Sequence, residues 1–551
     1  MQNRIGLQLM KIIYQSLYLS VFLSLISLTS CRNPMPDPPV AGEFKYTASD
    51  SALTKYIRAE NKYTDEFMSR ISGLRQSLCE ELRNRDGNSG INKEKIGDSI
   101  FCQSPDKKYD IFVKKGNTVF VHKTATNASE DRAIYSETRA GYTVSIGLSA
   151  SKKFLFIRSF GDGMTETRFL PSDFTTFIPI LIQPGATGNF YHVEHFDSDY
   201  FWIYTNFKAP NGKLVQAKIA HPESAFWIPI INYPDSTKLT GFALVNSKNL
   251  ILFEQKLFRA GIRIVDLTAI QDPTKGNRIG FNEPEGKLVF SGFEAETGKI
   301  LFQYSSAVTP ETMYTYDLNE MRLGIRWQEK INGYNKNNYG SSIIWVTAKN
   351  GTKIPVTLVF HKDFEKRDGT NPIVLTNEKS SGPSGQSGFN SSWISLLDRG
   401  FYIAIVHGQD DKLPECASFL IAQKYTSKGL ITGFGKCSGV EEIAAAASMQ
   451  PDLFKAIILE GPAAGREINL KETKKPYPTM FLITDIPDNK GDNFWMEKMA
   501  VRIRKNKTNN NILLLKTGHS ASDEGDTTCN DQVQSSVDWL AFILSCYGIE
   551  K

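Results

Sequence analysis

The residues best suited to chemistry lie in Gly433-Phe434-Gly435-Lys436-Cys437-Ser438-Gly439, where an apolar run meets the helix-like VEEIAAAASMQ. Strand, Gly-x-nucleophile-x-Gly, helix is the sequence form of a nucleophile elbow. Gly435 and Gly439 permit the strained turn and the close packing of strand on helix, and the turn presents the central side chain. That side chain is Cys437. Ser438 is one place off the glycine spacing, but its backbone N–H is suitably placed to stabilise an oxyanion. Asp488 follows the run TMFLIT and His519 follows NILLLKTG, so nucleophile, acid and histidine occur in the order such a site demands. His519 would take the thiol proton, Asp488 would orient the imidazole, and Cys437 would attack a carbonyl. A thiol at a helix N-terminus near an imidazole gives up its proton readily. Taken singly, a cysteine is usually a small buried hydrophobe. The ordered set of three, each just beyond a strand, is what points to chemistry.

These residues need a scaffold that carries them at strand ends, and from about Ser341 the sequence supplies one. SSIIWVTAKNGTKIPVTLVFHK reads as a hairpin with Asn350-Gly351 as its tight turn. PIVLT, FYIAIVHG, GLITGFG, KAIILEG, TMFLIT and NILLLK are buried-strand candidates, with helical segments between some of them. That alternation predicts an α/β-hydrolase domain, its chemistry in loops at the C-terminal ends of parallel strands. Upstream the sequence repeats. YDIFV, FLFIR, YFWIYT, LILFEQ and ILFQYS start at Tyr109, Phe154, Tyr200, Leu250 and Ile300, intervals of 45, 46, 50 and 50 residues. A polar turn precedes each, and a second strand follows about a dozen residues later. Five such units between about Gly87 and Met321 predict a β-propeller. A pair of β-sandwiches would not enforce so constant an interval. Leu53 to Arg85 lacks proline and spaces its apolar residues helically, predicting one long or two short helices.

Composition bounds the function. At 551 residues, 41% of them hydrophobic, the chain is too long for one ordinary core. Seven cysteines are too few for a disulfide scaffold of this length, and 11% aromatics with a net charge of +5 exclude wholesale disorder. No Lys/Arg stripe interleaves with aromatics, so no nucleic-acid partner is expected, and no metal or cofactor is read. Ile12 to Ser30 carries no charge, follows Arg4 and Lys11, and ends in Leu28-Thr29-Ser30-Cys31. A basic start, an apolar run and small residues read as an export signal, here closing in a lipobox-like sequence. Diacylation of Cys31 plus an amide-linked chain would anchor the protein stably, with RNPMPDPPV as the tether. The competing reading is an uncleaved transmembrane helix, since the run approaches the spanning minimum of about 17 residues. Export permits disulfides, but the remaining cysteines show no paired spacing.

The chain resembles the prolyl oligopeptidase family of serine peptidases, above all its oligopeptidase B branch. The resemblance is carried by YIRAENKYTDEFM, YSSAVTPETMYTYDL, GTKIPVTLVFHK, SLLDRGFYIAIVHG, QPDLFKAII and NNILLLKTGH, in the family's order from about Leu53 to the C-terminus. It implies a β-propeller capping an α/β-hydrolase domain, and cleavage of short peptides, after basic residues in oligopeptidase B. With the register set by Pro451-Asp452-Leu453-Phe454, Cys437 stands where the family has its serine, and Asp488 and His519 match its acid and histidine. The departures bear on activity. After His407-Gly408 the family has a long loop whose tyrosine completes the oxyanion hole, and GQDDKLPECASF offers no counterpart. Between Gly461 and Pro478 the family's insertion, with acidic residues that select a basic side chain, shrinks to PAAGREINLKETKKPY. Lys490 falls near a substrate-binding arginine of prolyl oligopeptidases, and five repeats stand against the family's seven blades.

The expected organisation is a lipoprotein signal at 1–30, a tether at 31–44, a helical segment at 45–86 packing on the catalytic domain, a propeller at 87–335 and a hydrolase domain at 336–551. The expected function is a membrane-anchored peptide hydrolase of reduced activity, exported and held at the cell or outer membrane through Cys31. The alternative is a catalytically inactive family member acting as a binding or structural lipoprotein. A peptide is the expected substrate or ligand, and the oligomeric state stays open.

Overall fold

The computed structural model describes residues 35–44, 46, 50–85, 101–114, 117–139, 141–161, 163–196, 198–233, 237–245, 248–268, 275–377, 388–408, 412–461, 474–484, 494–518 and 531–550. Cys31 and the apolar run before it therefore lie outside the described residues. Met35 to Phe44 has no regular secondary structure, and Met35 packs against the core of the C-terminal domain. No described helix is long and apolar enough to cross a membrane.

Leu53 to Arg85 resolves into two helices, α1 (Ser51–Arg70) and α2 (Ser72–Arg85), parted at Ile71. Asp50 starts α1, its Oδ1 accepting from the Ala52 and Leu53 N–H groups at 2.9 and 3.2 Å. Such a cap satisfies donors that the first turn leaves without partners. Leu53, Tyr56, Glu60, Tyr63, Thr64 and Met68 are buried at three- and four-residue spacing, one face of the helix. That face lies on the last strand of the C-terminal sheet, where Thr64 Oγ1 donates to Leu515 O at 2.8 Å. Cys79 in α2 is disulfide-bonded while Cys102, Cys416, Cys437 and Cys546 are free, so its partner lies outside the described residues.

Five four-stranded antiparallel sheets follow, at 101–136, 143–181, 191–232, 237–280 and 287–328. The recurring apolar segments are the second strand of each blade, such as Asn249–Lys256, whose first six residues are all buried. A single blade cannot bury both faces, so apolar cores form between neighbours. Ile111 and Leu155 join the first two blades, Phe169 and Phe201 the next pair, Tyr204 and Leu250 the next, and Phe253 and Phe302 the last. Among the described residues no such buried cluster joins the fifth blade to the first.

The C-terminal domain is one eight-stranded sheet, β1 (Tyr339–Thr347), β2 (Lys353–His361), β3 (Ile373–Asn377), β4 (Tyr402–Val406), β5 (Ile431–Lys436), β6 (Phe454–Glu460), β7 (Thr479–Thr484) and β8 (Leu513–Thr517), in the order β1-β2-β4-β3-β5-β6-β7-β8. Gly351, at φ +84, closes the β1–β2 hairpin, and from β4 through β8 all pairing is parallel. Both faces of the parallel strands are covered, which is why β3 and β4 are buried at every residue. One face carries α4 (Leu413–Ala422), α5 (Val440–Met449) and α6 (Trp495–Asn506); the other carries α1, α2, α3 (Ser392–Leu397) and α7 (Asp531–Cys546).

Glu60 ties α1 to this domain. Its carboxylate, fully buried, accepts from Arg504 Nε and Nη2 at 2.6 Å each and from the Tyr56 hydroxyl at 2.5 Å. Glu60→Ala would leave the Arg504 charge buried and unpaired, a loss of roughly 3–5 kcal/mol. The expected result is a lower urea midpoint for the full chain, with Glu60→Gln in between. Equal midpoints for wild type and Glu60→Ala would contradict this role for the pair.

Candidate active site

β5 ends at Lys436, a single 3₁₀ turn covers Cys437–Gly439, and α5 begins at Val440. Cys437 sits at φ +49, in the left-handed region, at a cost of about 1–2 kcal/mol for a residue with a β-carbon. Gly435 makes the turn possible: a β-carbon there would lie 3.0 Å from both Gly439 O and Val440 Cα. Behind the thiol, Gly461 follows β6 at φ +92, and a β-carbon on it would lie 3.5 Å from Cys437 Sγ. The cysteine is exposed. Ser438 follows it in the turn, where an elbow carries its oxyanion-binding N–H.

Asp488 and His519 lie outside the described residues, as do Lys490 and most of the shortened segment after Gly461. The described strands nonetheless bring the approaches to both residues together. β7 and β8 pair at their ends, Thr484 with Thr517, and the Gly518 N–H donates to Thr484 O at 2.8 Å. These ends share the sheet edge that carries Cys437. On the other side of β5, β4 leads to His407, whose Nε2 lies 2.8 Å from Thr357 Oγ1, and α4 already begins at Leu413.

Cys437 opens on a cavity of about 600 Å³ between the fifth blade and the sheet. The blade contributes Lys287, Ser305 and Ala307; the hydrolase domain contributes Thr376, Trp393, Phe434, Glu460 and Trp539 among others. Glu460, at the end of β6, is register partner of Lys436, and their side chains pair at 3.1 Å. Ser535 Oγ donates to the same Glu460 Oε1 at 2.6 Å. Sequence reasoning missed Glu460. The available signal was an acid closing the apolar run AIIL. A second contact between the domains is the fourth-blade turn Leu257-Phe258, at φ +50 and +73, whose Phe258 ring lies 4.7 Å from His407. Among the described residues no cluster of three or more His, Cys, Asp or Glu could hold a metal ion.

Fold and elbow together define an α/β-hydrolase capped by a β-propeller. The profile of the prolyl oligopeptidase N-terminal β-propeller domain matches residues 97–326. Protease 2 of Moraxella lacunata is 25% identical over 515 residues, covering 83% of this chain and 72% of that protein. Dipeptidyl aminopeptidase BI of Pseudoxanthomonas mexicana is 24% identical over 491 residues, covering 78% of this chain and 66% of that one. Oligopeptidase B from Leishmania major superposes with a TM-score of 0.76 at 17% identity, covering 95% of this chain and 97% of that one. Residues 97–326 thus match the propeller of the prolyl oligopeptidase family, and over most of its length the chain is similar to peptidases of the prolyl oligopeptidase and oligopeptidase B type.

The cavity roof depends on a buried acid. Glu285, just before the fifth blade, accepts from the Ala307 N–H at 2.6 Å and so holds the turn that lines the cavity. Burial pushes its carboxyl up to about 7, against the Ala307 hydrogen bond, with the nearby Glu283 charge adding to the rise. Between the ordinary carboxyl range and about 7 the folded chain keeps a proton that the unfolded chain has lost. Stability therefore falls as pH rises through that window and levels off above it, by an amount on the order of 3 kcal/mol. Melting temperatures at pH 5 and 8 should differ less for Glu285→Gln than for wild type. An identical pH dependence in the two proteins would count against this assignment.

Proposed function

We propose that this chain is an exported, membrane-anchored peptide hydrolase of its family, with Cys437 as nucleophile and low turnover. One observation carries the reading: an exposed thiol at φ +49, in an elbow, at the mouth of a cavity between propeller and sheet. In this reading Cys437 Sγ attacks the scissile carbonyl as its proton passes to His519, oriented by Asp488, and the Ser438 N–H stabilises the oxyanion. Collapse breaks the C–N bond, and His519 returns the proton to the leaving amine. Water then hydrolyses the thioester, giving its proton to His519 and freeing the acid and the thiol. Low turnover follows from the short path between Gly408 and α4. Its four residues hold no counterpart of the family's loop tyrosine, and losing one oxyanion donor costs about 2.7–4 kcal/mol. The same short path favours a second reading, a binding or structural lipoprotein that has kept the fold without turnover. Export and lipidation at Cys31 are supported by the uncharged run that it ends and by the disulfide at Cys79, since such bonds persist in oxidising compartments.

An alkylation experiment separates the two readings. Cys437 should react with iodoacetamide faster than Cys102, Cys416 or Cys546, and His519→Ala should slow it by about a hundredfold or more, the usual scale of base assistance. A fluorophosphonate probe should label Cys437→Ser, and that variant should hydrolyse peptides faster than wild type. Alkylation of Cys437 no faster than of the other free cysteines would remove the hydrolase reading and leave the binding one.

A further inference from the structure

The cavity wall beneath the elbow holds two buried polar atoms with no hydrogen-bond partner, Glu460 Oε2 and Thr376 Oγ1. Their residues are only 8% and 4% exposed. The Glu460 carboxylate is served unevenly: Ser535 Oγ and Lys436 Nζ both approach Oε1, at 2.6 and 3.1 Å, and nothing approaches Oε2. A buried acceptor without a donor is costly, and a ligand that supplies the donor recovers that cost. Both residues line the cavity, and rotation of either side chain would turn its unserved acceptor toward a polar group that arrives from outside.

The remaining wall tells what carries that group. Trp393, Phe434 and Trp539 meet one another with ring centroids 5.0–5.3 Å apart, an aromatic cluster in the same wall whose half-buried member is Trp393. Faces and edges of this kind favour another ring. Among the described lining residues the charged side chains are Lys287, Lys436 and Glu460, a sum of +1. A cationic ligand would compete with Lys436 for Glu460. An anionic ligand would meet the bare carboxylate oxygen. A neutral ring with one donor on its edge satisfies every one of these conditions, and about 600 Å³ is ample room for it.

We propose that this cavity binds an aromatic side chain carrying a hydrogen-bond donor, the phenol of tyrosine or the indole of tryptophan. Glu460 Oε2 is the acceptor and Thr376 Oγ1 the second polar contact, which makes Glu460 a specificity-determining residue. This rests on the reading of the cavity as the peptide site and names the side chain that the site selects.

The test needs no turnover. The full-length protein is treated with iodoacetamide in the presence of N-acetyl amides of tyrosine, tryptophan, phenylalanine or arginine, and protection of Cys437 is followed by mass spectrometry of its peptide. The tyrosine and tryptophan amides should protect at concentrations about tenfold or more below the phenylalanine amide, the range expected for one hydrogen bond to a carboxylate. The arginine amide should protect least. Glu460→Met should bring tyrosine down to the level of phenylalanine, Glu460→Gln should keep part of the preference, and phenylalanine should shift less than twofold in both. If Glu460→Met loses all three aromatic ligands through collapse, Glu460→Gln and Thr376→Val carry the comparison. Equal protection by tyrosine and phenylalanine in wild type, or best protection by arginine, would overturn the proposal while leaving the peptide site standing. Protection by none of the amides would overturn both.

Discussion

A side chain with a β-carbon held at φ +49 between a buried strand and a helix persists only where its surroundings allow nothing else, and around Cys437 they do not. β5 is locked in register between β3 and β6, so Lys436 cannot slip along the sheet to relax the turn. α5 is held from the other side by Val440, Ile443, Ala444, Ala446 and Ala447, all buried. Gly435 then lets helix and strand close to a separation that any side chain would prevent. The strained thiol is thus a consequence of two well-packed elements that both have to end at the same point. Everything else about the site, including the cavity at its mouth, is organised around where that turn must be.

The propeller enters this arrangement as a roof. Its fifth blade leans on the hydrolase core through Val308, whose neighbours Ser305 and Ala307 face the cavity. That turn is held by Glu285, an acid buried at the cost of its own ionisation. The fourth blade adds the Phe258 ring against His407. Four inter-blade cores stiffen the arc, while the seam between the fifth and first blades has no buried cluster among the described residues. A roof of this kind narrows what can reach Cys437 without contributing a reacting group. It also explains why a chain spanning only 72% and 66% of two peptidase relatives can still enclose a site.

Much of the fold was legible because it rests on short-range patterns. The blade period surfaced through second strands such as Leu250 to Gln255, buried at five of these six positions and apolar at the first four. First and fourth strands, being edges, carry weaker patterns and were seen less well. The elbow was legible for the same reason: the glycine spacing around Cys437 is a local demand of the backbone. The disulfide at Cys79 was not legible, since spacing along the chain says nothing about which helix faces lie together. Glu460 was missed because a single acid at a strand end looks like an ordinary surface residue until the cavity beside it is seen.

By itself the sequence determined the elements and their order, the residue at the centre of the elbow and the two-part architecture, because turn chemistry and apolar periodicity act over a few residues. Only the tertiary structure decided what surrounds the thiol. Ser535 reaches Glu460 from 75 residues away, Trp539 comes to the same cavity from the helix of Ser535, and Thr376 and Trp393 come from two other elements. Whether a carboxylate oxygen ends up served or bare depends on where those distant groups come to rest. That is a property of packing in three dimensions, and no local pattern in the chain encodes it.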